Sequence, residues 1–134
     1  MQLCIADIMI TRVVTVEMDD RLSVAKEIFH HAGFHHLLVV DDEGKLEGVL
    51  SERDLLRASP NLGSETATCR DLETLNKRVH QVMSRNPVTV APHLGLAQAS
   101  RLLLEKDIGS LPVLENGEIV GIVTWKDLLR AYCC

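Results

Sequence analysis

The sequence predicts an α+β fold made of two pseudo-symmetric β-α-β-β-α repeats that pack as one module. The first observation is internal similarity, because residues Asp7–Ala58 align with residues Gln81–Ala131 once Asp42 is treated as a single insertion. The second is periodicity, since short β-branched runs alternate with stretches that place apolar residues on one helical face. The third is size: a repeat this short buries little apolar surface alone, so two copies are expected to share a core.

The repeated residues define the boundaries of the two copies. They include Met9, Val16, Leu37, Gly48 and Asp54, which recur as Met83, Val90, Leu111, Gly121 and Asp127. We therefore expect repeat 1 over residues 1–60, a helical linker over 61–78 and repeat 2 over 79–134. Packing around a pseudo-twofold axis would create clefts to which both copies contribute matching residues.

The elements of each copy follow in order from these patterns. Asp19 and Asp20 are expected to cap the first helix, and Asn116-Gly117 indicates a hairpin turn because both residues tolerate positive φ. Strands are predicted at Val13–Val16, Leu37–Val40, Leu46–Leu50, Val88–Val90, Leu111–Leu114 and Ile119–Val123. Helices are predicted at Leu22–Ala32, Ser51–Ala58, Leu96–Leu104 and Trp125–Ala131.

The connection between the copies is expected to be structured. The segment Ser59–Ser64 is rich in turn residues and predicts a break in regular structure. A helix is expected to follow it, with Thr68 and Asp71 as its capping box. Its apolar side would consist of Leu72, Leu75, Val79 and Val82.

Composition argues against nucleic acid as a partner. The net charge is −5, and affinity for nucleic acid depends on neutralising phosphates with basic side chains. Aromatic residues make up only 3% of the chain, which disfavours a base-stacking surface. A small anionic ligand held in one basic pocket is compatible with this charge.

The sequence is that expected of a soluble cytoplasmic protein with no membrane partner. The start Met1-Gln2-Leu3-Cys4 has neither the basic residues nor the apolar run of a signal peptide, and no apolar stretch has membrane-spanning length. The other cysteines are Cys69, Cys133 and Cys134, and none of the cysteines has metal-ligand spacing. Free thiols of this kind fit a reducing compartment.

The strongest functional candidate is a junction that occurs in both copies. Ser51 precedes Asp54 by three residues, as Thr124 precedes Asp127, and both pairs lie where a strand is expected to pass into a helix. This spacing is also that of a capping box, which would be purely structural. The functional alternative is a sugar and phosphate site, formed by free helix N–H groups, the hydroxyl, the carboxylate and a neighbouring Arg53 or Lys126.

A second candidate is the histidine-rich segment before the first buried strand. His30, His31, His35 and His36 could suggest a metal site, but repeat 2 has no equivalent cluster. Exposed imidazoles without a function are a simpler interpretation, and a phosphate contact is the third. No Walker loop, nucleophile elbow or dinucleotide fingerprint is present, so the sequence gives little support to catalysis.

The repeat, the element order and the ending Gly-h-h-[Ser/Thr]-x-x-Asp, where h is apolar, resemble a tandem pair of CBS domains, also called a Bateman module. The resemblance spans roughly Cys4 to Tyr132, and the length is similar to that of stand-alone bacterial CBS-pair proteins. Such pairs bind adenosine-containing ligands (AMP, ADP, ATP, NAD-type nucleotides or S-adenosylmethionine) in two clefts that mix the copies. In the family, the terminal Asp takes the ribose hydroxyls, the Ser or Thr contacts ribose or phosphate, and basic side chains hold phosphate.

The resemblance assigns residues to two clefts. One cleft would combine His36, Ser51, Arg53 and Asp54 with Thr89, Ile108 and Ser110. The other would combine Thr124, Lys126 and Asp127 with Thr15, Phe34 and His35. No catalytic residue, metal or resident cofactor is implied, and an adenine nucleotide would be the regulatory ligand.

The sequence departs from the family pattern at one position, and the two copies differ from each other at another. A proline that is common before the buried strand is present as Pro112 but replaced by Leu38, and Ser110 stands where repeat 1 has His36. We therefore expect the cleft with His36 and Asp54 to hold more highly charged ligands than its mate.

The resemblance implies a non-enzymatic regulatory sensor that acts on an unidentified target protein. It also implies a homodimer, for which the helices carrying Leu55/Leu56 and Leu128/Leu129 would supply apolar surface. The alternatives are a ligand-free structural dimerisation or interaction module and an enzyme of unrecognised type.

Overall fold

A computed structural model describes residues 2–32, 34–59 and 69–133 of the chain. Most of the predicted break and Thr68 of the predicted capping box lie outside the described residues. The helices are α1 (Ile5–Ile8), α2 (Leu22–Ala32), α3 (Glu52–Ala58), α4 (Cys69–Thr74), a 3₁₀ turn (Val79–Gln81), α5 (Leu96–Lys106) and α6 (Trp125–Cys133). The strands are β1 (Thr15–Glu17), β2 (His36–Val40), β3 (Leu46–Ser51), β4 (Ser84–Arg85), β5 (Ser110–Glu115) and β6 (Glu118–Thr124).

The chain forms two compact units, and each contains most of one repeat. The first-repeat unit is Val14–Asn86, and the second-repeat unit is Met1–Val13 together with Pro87–Cys134. Each unit mixes helices with paired strands, which confirms the α+β fold class. Residues Met1–Val13 of repeat 1 and residues 79–86 of repeat 2 therefore belong to the unit of the other repeat, and we call them the exchanged segments.

The first-repeat unit contains a four-stranded sheet in the order β1-β2-β3-β4. The β1 strand runs parallel to β2, while β2 with β3 and β3 with β4 are antiparallel. Leu37, Val39 and Leu50 of this sheet are fully buried and pack with Leu22, Ala25 and Phe29 of α2. The predicted apolar face of α2 is thus the face that covers the sheet.

The second-repeat unit has the same arrangement around the hairpin β5-β6. Asn116 and Gly117 form its two-residue turn with φ of 53° and 81°, as the sequence predicted. Val90 forms a parallel bridge to Val113, and Ile10 forms an antiparallel bridge to Ile122. The predicted strand Val88–Val90 is therefore reduced to one bridge.

Matching hydrogen bonds fix the exchanged segments in the two units. Ile5 N donates to the Leu94 carbonyl at 2.9 Å, and Val79 N donates to the Asp20 carbonyl at 2.8 Å. Ile5 and Val79 are fully buried. Each exchanged segment thus contributes one buried apolar residue, Ile5 or Val79. The hydrogen bonds that these two residues form are also equivalent in the two units.

The start of α2 differs from the prediction that Asp19 and Asp20 cap it. The carboxylate of Asp20 instead accepts from Glu17 N at 2.8 Å, in the turn before the helix. Leu22 N donates to the Lys77 carbonyl at 2.9 Å, and Ser23 N donates to the Leu75 carbonyl at 3.0 Å. Backbone oxygens from a distant segment therefore satisfy the helix donors that a local side chain was expected to cap.

The linker helix is shorter than predicted because the residues after Thr74 use their backbone carbonyls to accept hydrogen bonds from the start of α2. The α4 helix ends at Thr74, and a separate 3₁₀ turn begins at Val79. Leu75 and Lys77 lie between them with their carbonyls turned to α2. Leu72 is 55% exposed, so it does not belong to one continuous apolar side with Val79.

Two repeated glycines lie where the exchanged strands approach the sheets. A Cβ atom on Gly48 would be 2.6 Å from the carbonyl oxygen of Ser84 and 2.8 Å from the sulfur of Met83. A Cβ atom on Gly121 would be 2.9 Å from the carbonyl oxygen of Ile10. These distances are shorter than van der Waals contact, so only glycine fits without a shift of backbone.

Candidate functional site

The junction between β3 and α3 holds the first Ser and Asp pair. Ser51 Oγ accepts from Asp54 N at 3.0 Å, and Asp54 Oδ2 accepts from Ser51 N at 2.9 Å. This is a complete capping box on half-buried residues. Among the described residues, no group other than Ser51 N donates to the Asp54 carboxylate, so none of them occupies Oδ1.

The junction between β6 and α6 holds the second pair with more contacts. Asp127 Oδ2 accepts from Thr124 N at 2.9 Å and from Thr124 Oγ1 at 3.0 Å. Asp127 Oδ1 faces Arg130 Nη1 at 3.5 Å. Asp127 is only 7% exposed. The capping interpretation and the ligand-binding interpretation depend on the same atoms, because a capping carboxylate lies at a helix N-terminus, where anions are favoured.

The two predicted histidines lie beside the first junction. His36 is the register partner of Ser51 across β2 and β3. The His35 carbonyl accepts from Glu52 N at 2.9 Å, and the His35 ring Nδ1 lies 2.8 Å from Glu52 Oε2. The structure thus gathers both histidines at the strand ends next to α3, with His35 held by a carboxylate.

Other predicted residues of the first-repeat unit lie on the same strands or next to them. Thr15 pairs with Leu38 in the parallel ladder and exposes its side chain. Phe34 is half-buried and packs against the apolar core of this unit. Arg53 is exposed on the first turn of α3. Arg53 is therefore next to Asp54 in the chain and exposed to solvent.

The second-repeat unit places its predicted residues in matching positions. Ser110 is the register partner of Thr124 and is 8% exposed, and Ile108 packs against the core. Thr89 is exposed next to the bridging residue at position 90. Lys126 is exposed, and its Nζ lies 5.7 Å from the centroid of a neighbouring indole. A polar group thus lies opposite each junction in both units.

Pro112 explains why the two units differ at the first strand. Leu38 N donates to the Val14 carbonyl at 3.1 Å, which helps to make β1 a regular strand. Pro112 occupies the equivalent position and has no N–H to donate. The leucine in place of proline at position 38 therefore adds one ladder hydrogen bond in repeat 1, whereas repeat 2 keeps only the bridge between Val90 and Val113.

Three neighbours of the predicted residues did not emerge from the sequence. They are Glu52, which holds His35; Trp125, which lies beside Lys126; and Arg130, which faces Asp127. Arg130 offered a signal, because it follows Asp127 by three residues and is repeated as Arg57. The grouping of residues from the two copies into shared clefts stays a prediction.

The histidines of α2 do not form a metal cluster with their neighbours. His31 Nε2 lies 3.0 Å from Glu27 Oε2, and the rings of His30 and His31 meet edge to face. In the described parts of the chain, no three His, Cys, Asp or Glu side chains are close enough to hold a metal ion.

A shallow depression of about 210 Å³ lies elsewhere on the first-repeat unit. Its polar lining consists of Glu17, Asp19, Asp41, Asp42, His80 and Arg85. None of the predicted site residues lines it. The depression is therefore separate from the two junctions.

A family model for the CBS domain matches residues 5–61 and residues 79–133. These two matches coincide with the repeats that carry the Ser51–Asp54 and Thr124–Asp127 junctions. The chain is a tandem pair of CBS domains. A CBS domain-containing protein of Dictyostelium discoideum is 33% identical over 132 residues, which cover 96% of this chain and 90% of that protein.

Solved CBS pairs have the same fold. The crystal structure of CBSX2 in complex with AMP is 30% identical, with a TM-score of 0.78, and the match covers 97% of this chain and 96% of that chain. The CBS domain pair of protein MJ0100, in complex with 5-methylthioadenosine and S-adenosyl-L-methionine, has a TM-score of 0.83 at 23% identity over 99% of this chain and 98% of that one. CBS pairs are regulatory modules, and these two relatives hold adenosine-containing ligands.

The CBS pair also occurs within longer proteins. It spans 47% of an uncharacterized protein of Methanocaldococcus jannaschii and 21% of an inosine-5'-monophosphate dehydrogenase of Korarchaeum cryptofilum. Some CBS domains are therefore parts of enzymes. In the described residues of this CBS pair, no helix has the length and apolar character needed to cross a bilayer.

Proposed function

We propose that this CBS pair is a regulatory sensor that binds an adenosine-containing nucleotide and signals to a partner protein. The observation that carries the proposal is the duplicated junction, which places a hydroxyl and a carboxylate at the start of α3 and again at the start of α6. A carboxylate can accept both hydrogens of a ribose cis-diol. The AMP found in CBSX2, a relative that is 30% identical, supports this class of ligand.

The proposed clefts combine residues of both repeats. One would use His36, Ser51, Arg53 and Asp54 with Thr89, Ile108 and Ser110, and the other Thr124, Lys126 and Asp127 with Thr15, Phe34 and His35. Within each unit, some of these residues lie on paired strands: His36 is the register partner of Ser51, Ser110 is the register partner of Thr124, and Thr15 pairs with Leu38. The concentration of His36 and Arg53 beside Asp54 supports a preference of that cleft for more highly charged nucleotides.

Ligand-dependent stabilisation tests the proposal. Because a ligand that binds only the folded state stabilises it by mass action, the correct nucleotide at about 100 times its Kd should add roughly 2.7 kcal/mol to the free energy of unfolding. We expect one of AMP, ADP, ATP, NAD or S-adenosylmethionine to raise the Tm in a thermal-shift experiment. Deoxy-AMP is the matched control, since it lacks the cis-diol and should give a much smaller shift.

Mass spectrometry of the denatured protein provides an independent check. A nucleotide that copurifies with the chain would identify the ligand directly. The protein is expected to release that nucleotide unchanged, because we propose binding without turnover. No shift with any of the five ligands and no copurified nucleotide would contradict the proposal and leave a ligand-free interaction module.

We also propose that the CBS pair forms a homodimer through α3 and α6. Leu56 is 47% exposed and Leu129 is 51% exposed, whereas Leu55 and Leu128 are each only 4% exposed. Leu55 and Leu128 therefore belong to the cores, so only Leu56 and Leu129 of these four leucines contribute to the surface that the two helices were expected to supply.

The α6 helix presents a longer apolar stripe than the sequence indicated. Trp125, Leu129 and Tyr132 are exposed by 48%, 51% and 59% and follow one another at helical spacing. Exposed aromatic and leucine side chains on one helix face are typical of protein contact surfaces.

Charge substitution tests the dimer. Leu56→Glu combined with Leu129→Glu should halve the mass measured by light scattering after gel filtration, because two carboxylates would lose hydration in the interface. Leu104→Glu is the control, since Leu104 is 81% exposed on α5 and lies outside the proposed contact. A monomeric wild-type protein, or a double variant that stays dimeric, would contradict this arrangement.

A further inference from the structure

The two junction carboxylates differ in how many of their oxygens are already occupied. Asp127 Oδ2 accepts two hydrogen bonds from Thr124, and its Oδ1 faces Arg130 Nη1 at 3.5 Å. Asp54 uses only Oδ2, which accepts from Ser51 N, and the described residues provide no donor to Oδ1. The two repeats therefore present unequal acceptors at equivalent positions.

The difference at Oδ1 arises from one side chain that both repeats possess. Arg57 occupies the position in α3 that Arg130 occupies in α6. In the described part of the chain, Arg57 forms no hydrogen bond or ion pair with Asp54, whereas Arg130 forms both with Asp127. The same residue at the same spacing is thus engaged in one repeat and not in the other.

A ribose cis-diol donates two hydrogen bonds and requires an accessible carboxylate oxygen. Asp127 Oδ1 faces the Arg130 guanidinium at 3.5 Å, so a ribose hydroxyl that binds this oxygen competes with Arg130 for it. We propose that Arg130 is an intramolecular competitor for the ribose diol at Asp127, and that the Asp54 site consequently fills first. The inference rests on the proposed function, and it adds which of the two sites the ligand fills first and why.

The Arg130 contact has the properties of a displaceable competitor. The Arg130 side chain is 73% exposed, and it is joined to Asp127 within one turn of α6. An exposed ion pair of this kind is weak, so its removal should change ligand affinity by up to about fivefold. Arg130 is a positioning residue here, because it acts on the carboxylate and not on the ligand.

Titration calorimetry with adenosine in variants that isolate one site tests the proposal. Asp54→Asn leaves the Asp127 site as the remaining diol acceptor. In that background, Arg130→Gln should tighten adenosine binding by up to about fivefold, since the competitor is gone. Arg57→Gln in the same background is the matched control and should leave the affinity unchanged.

Two further ligands separate competition from a direct contact. With 2'-deoxyadenosine the gain from Arg130→Gln should disappear, because the ligand has no cis-diol. With AMP, a loss of affinity in Arg130→Gln while adenosine is unaffected would show that Arg130 binds phosphate, which overturns the proposal. Unchanged or weaker adenosine binding also overturns it.

The failure of this inference differs from the failure of the proposed function. If the wild-type protein binds nucleotide and Arg130→Gln gives no gain with adenosine, only the competition is wrong. If the wild-type protein binds none of adenosine, AMP or the other nucleotides, the proposed function is wrong and the competition falls with it.

Discussion

Replacing Asp54 and Asp127 together by asparagine is expected to abolish the stabilisation that a nucleotide gives to the wild-type protein. Asparagine keeps one oxygen that can accept from Ser51 N or Thr124 N, so the capping bonds can persist. It loses the negative charge and the second acceptor that a ribose diol requires. The gain of roughly 2.7 kcal/mol expected at 100 times the Kd should therefore fall close to zero.

The fold of the ligand-free protein should change much less. A carboxylate in the first turn of a helix contributes about 0.3 to 1 kcal/mol through the helix dipole, which sets the scale of the loss per site. Chemical denaturation with and without ligand measures both quantities on the same sample.

Asp20→Asn is a matched control for this experiment. Asp20 Oδ2 accepts from Glu17 N at 2.8 Å, as Asp54 Oδ2 accepts from Ser51 N at 2.9 Å, and both residues are half-buried. Asp20 is not part of a Ser/Thr junction, so Asp20→Asn should retain the full ligand effect. Full stabilisation of the Asp54→Asn, Asp127→Asn protein by nucleotide would show that these carboxylates are caps only.

Alanine at Gly48 or Gly121 is expected to destabilise the protein by about 1 to 3 kcal/mol, because each site is overpacked by one methyl group. The new Cβ would lie 2.6 Å from the Ser84 carbonyl oxygen in one case and 2.9 Å from the Ile10 carbonyl oxygen in the other. A backbone oxygen cannot rotate away as a side chain can. The exchanged strand would have to move, which would weaken its pairing with β3 or β6.

Gly44 provides the control for the glycine variants. It lies in the turn between β2 and β3 with φ of 82°, and a Cβ there would have no atom within 4 Å. Gly44→Asn should therefore cost little, since asparagine tolerates left-handed backbone better than most residues. Equal losses in Gly44→Asn and Gly48→Ala, measured by urea denaturation, would contradict the packing explanation.

Local features were predictable from the sequence because their causes lie within a few residues. The Asn116-Gly117 turn depends on the left-handed tolerance of two adjacent residues, and the structure confirms it. The capping boxes at Ser51 and Thr124 depend on a three-residue spacing. In each case the partner atoms are fixed by the helix or turn geometry itself.

Features that depend on distant partners were not predictable. The start of α2 uses carbonyls of Leu75 and Lys77, so no local cap was needed and the prediction for Asp19 and Asp20 was wrong. The repeat identified Gly48 as a matching position, but the sequence did not show that the Ser84 carbonyl leaves no room for a Cβ atom there. Arg130 contacts Asp127, whereas Arg57 does not contact Asp54 in the described residues. The sequence could not distinguish the two cases, because both arginines follow the aspartate by three residues.

The exchange of segments between the two units has a consequence for synthesis on the ribosome. Ile10 is synthesised long before its bridge partner Ile122, which lies in the other repeat. The first unit to be finished is Val14–Asn86, whose exchanged strand follows its own repeat in the nascent chain. The segment that carries Ile10 therefore stays without its strand partner until β6 has been synthesised, so the second-repeat unit is completed after the first.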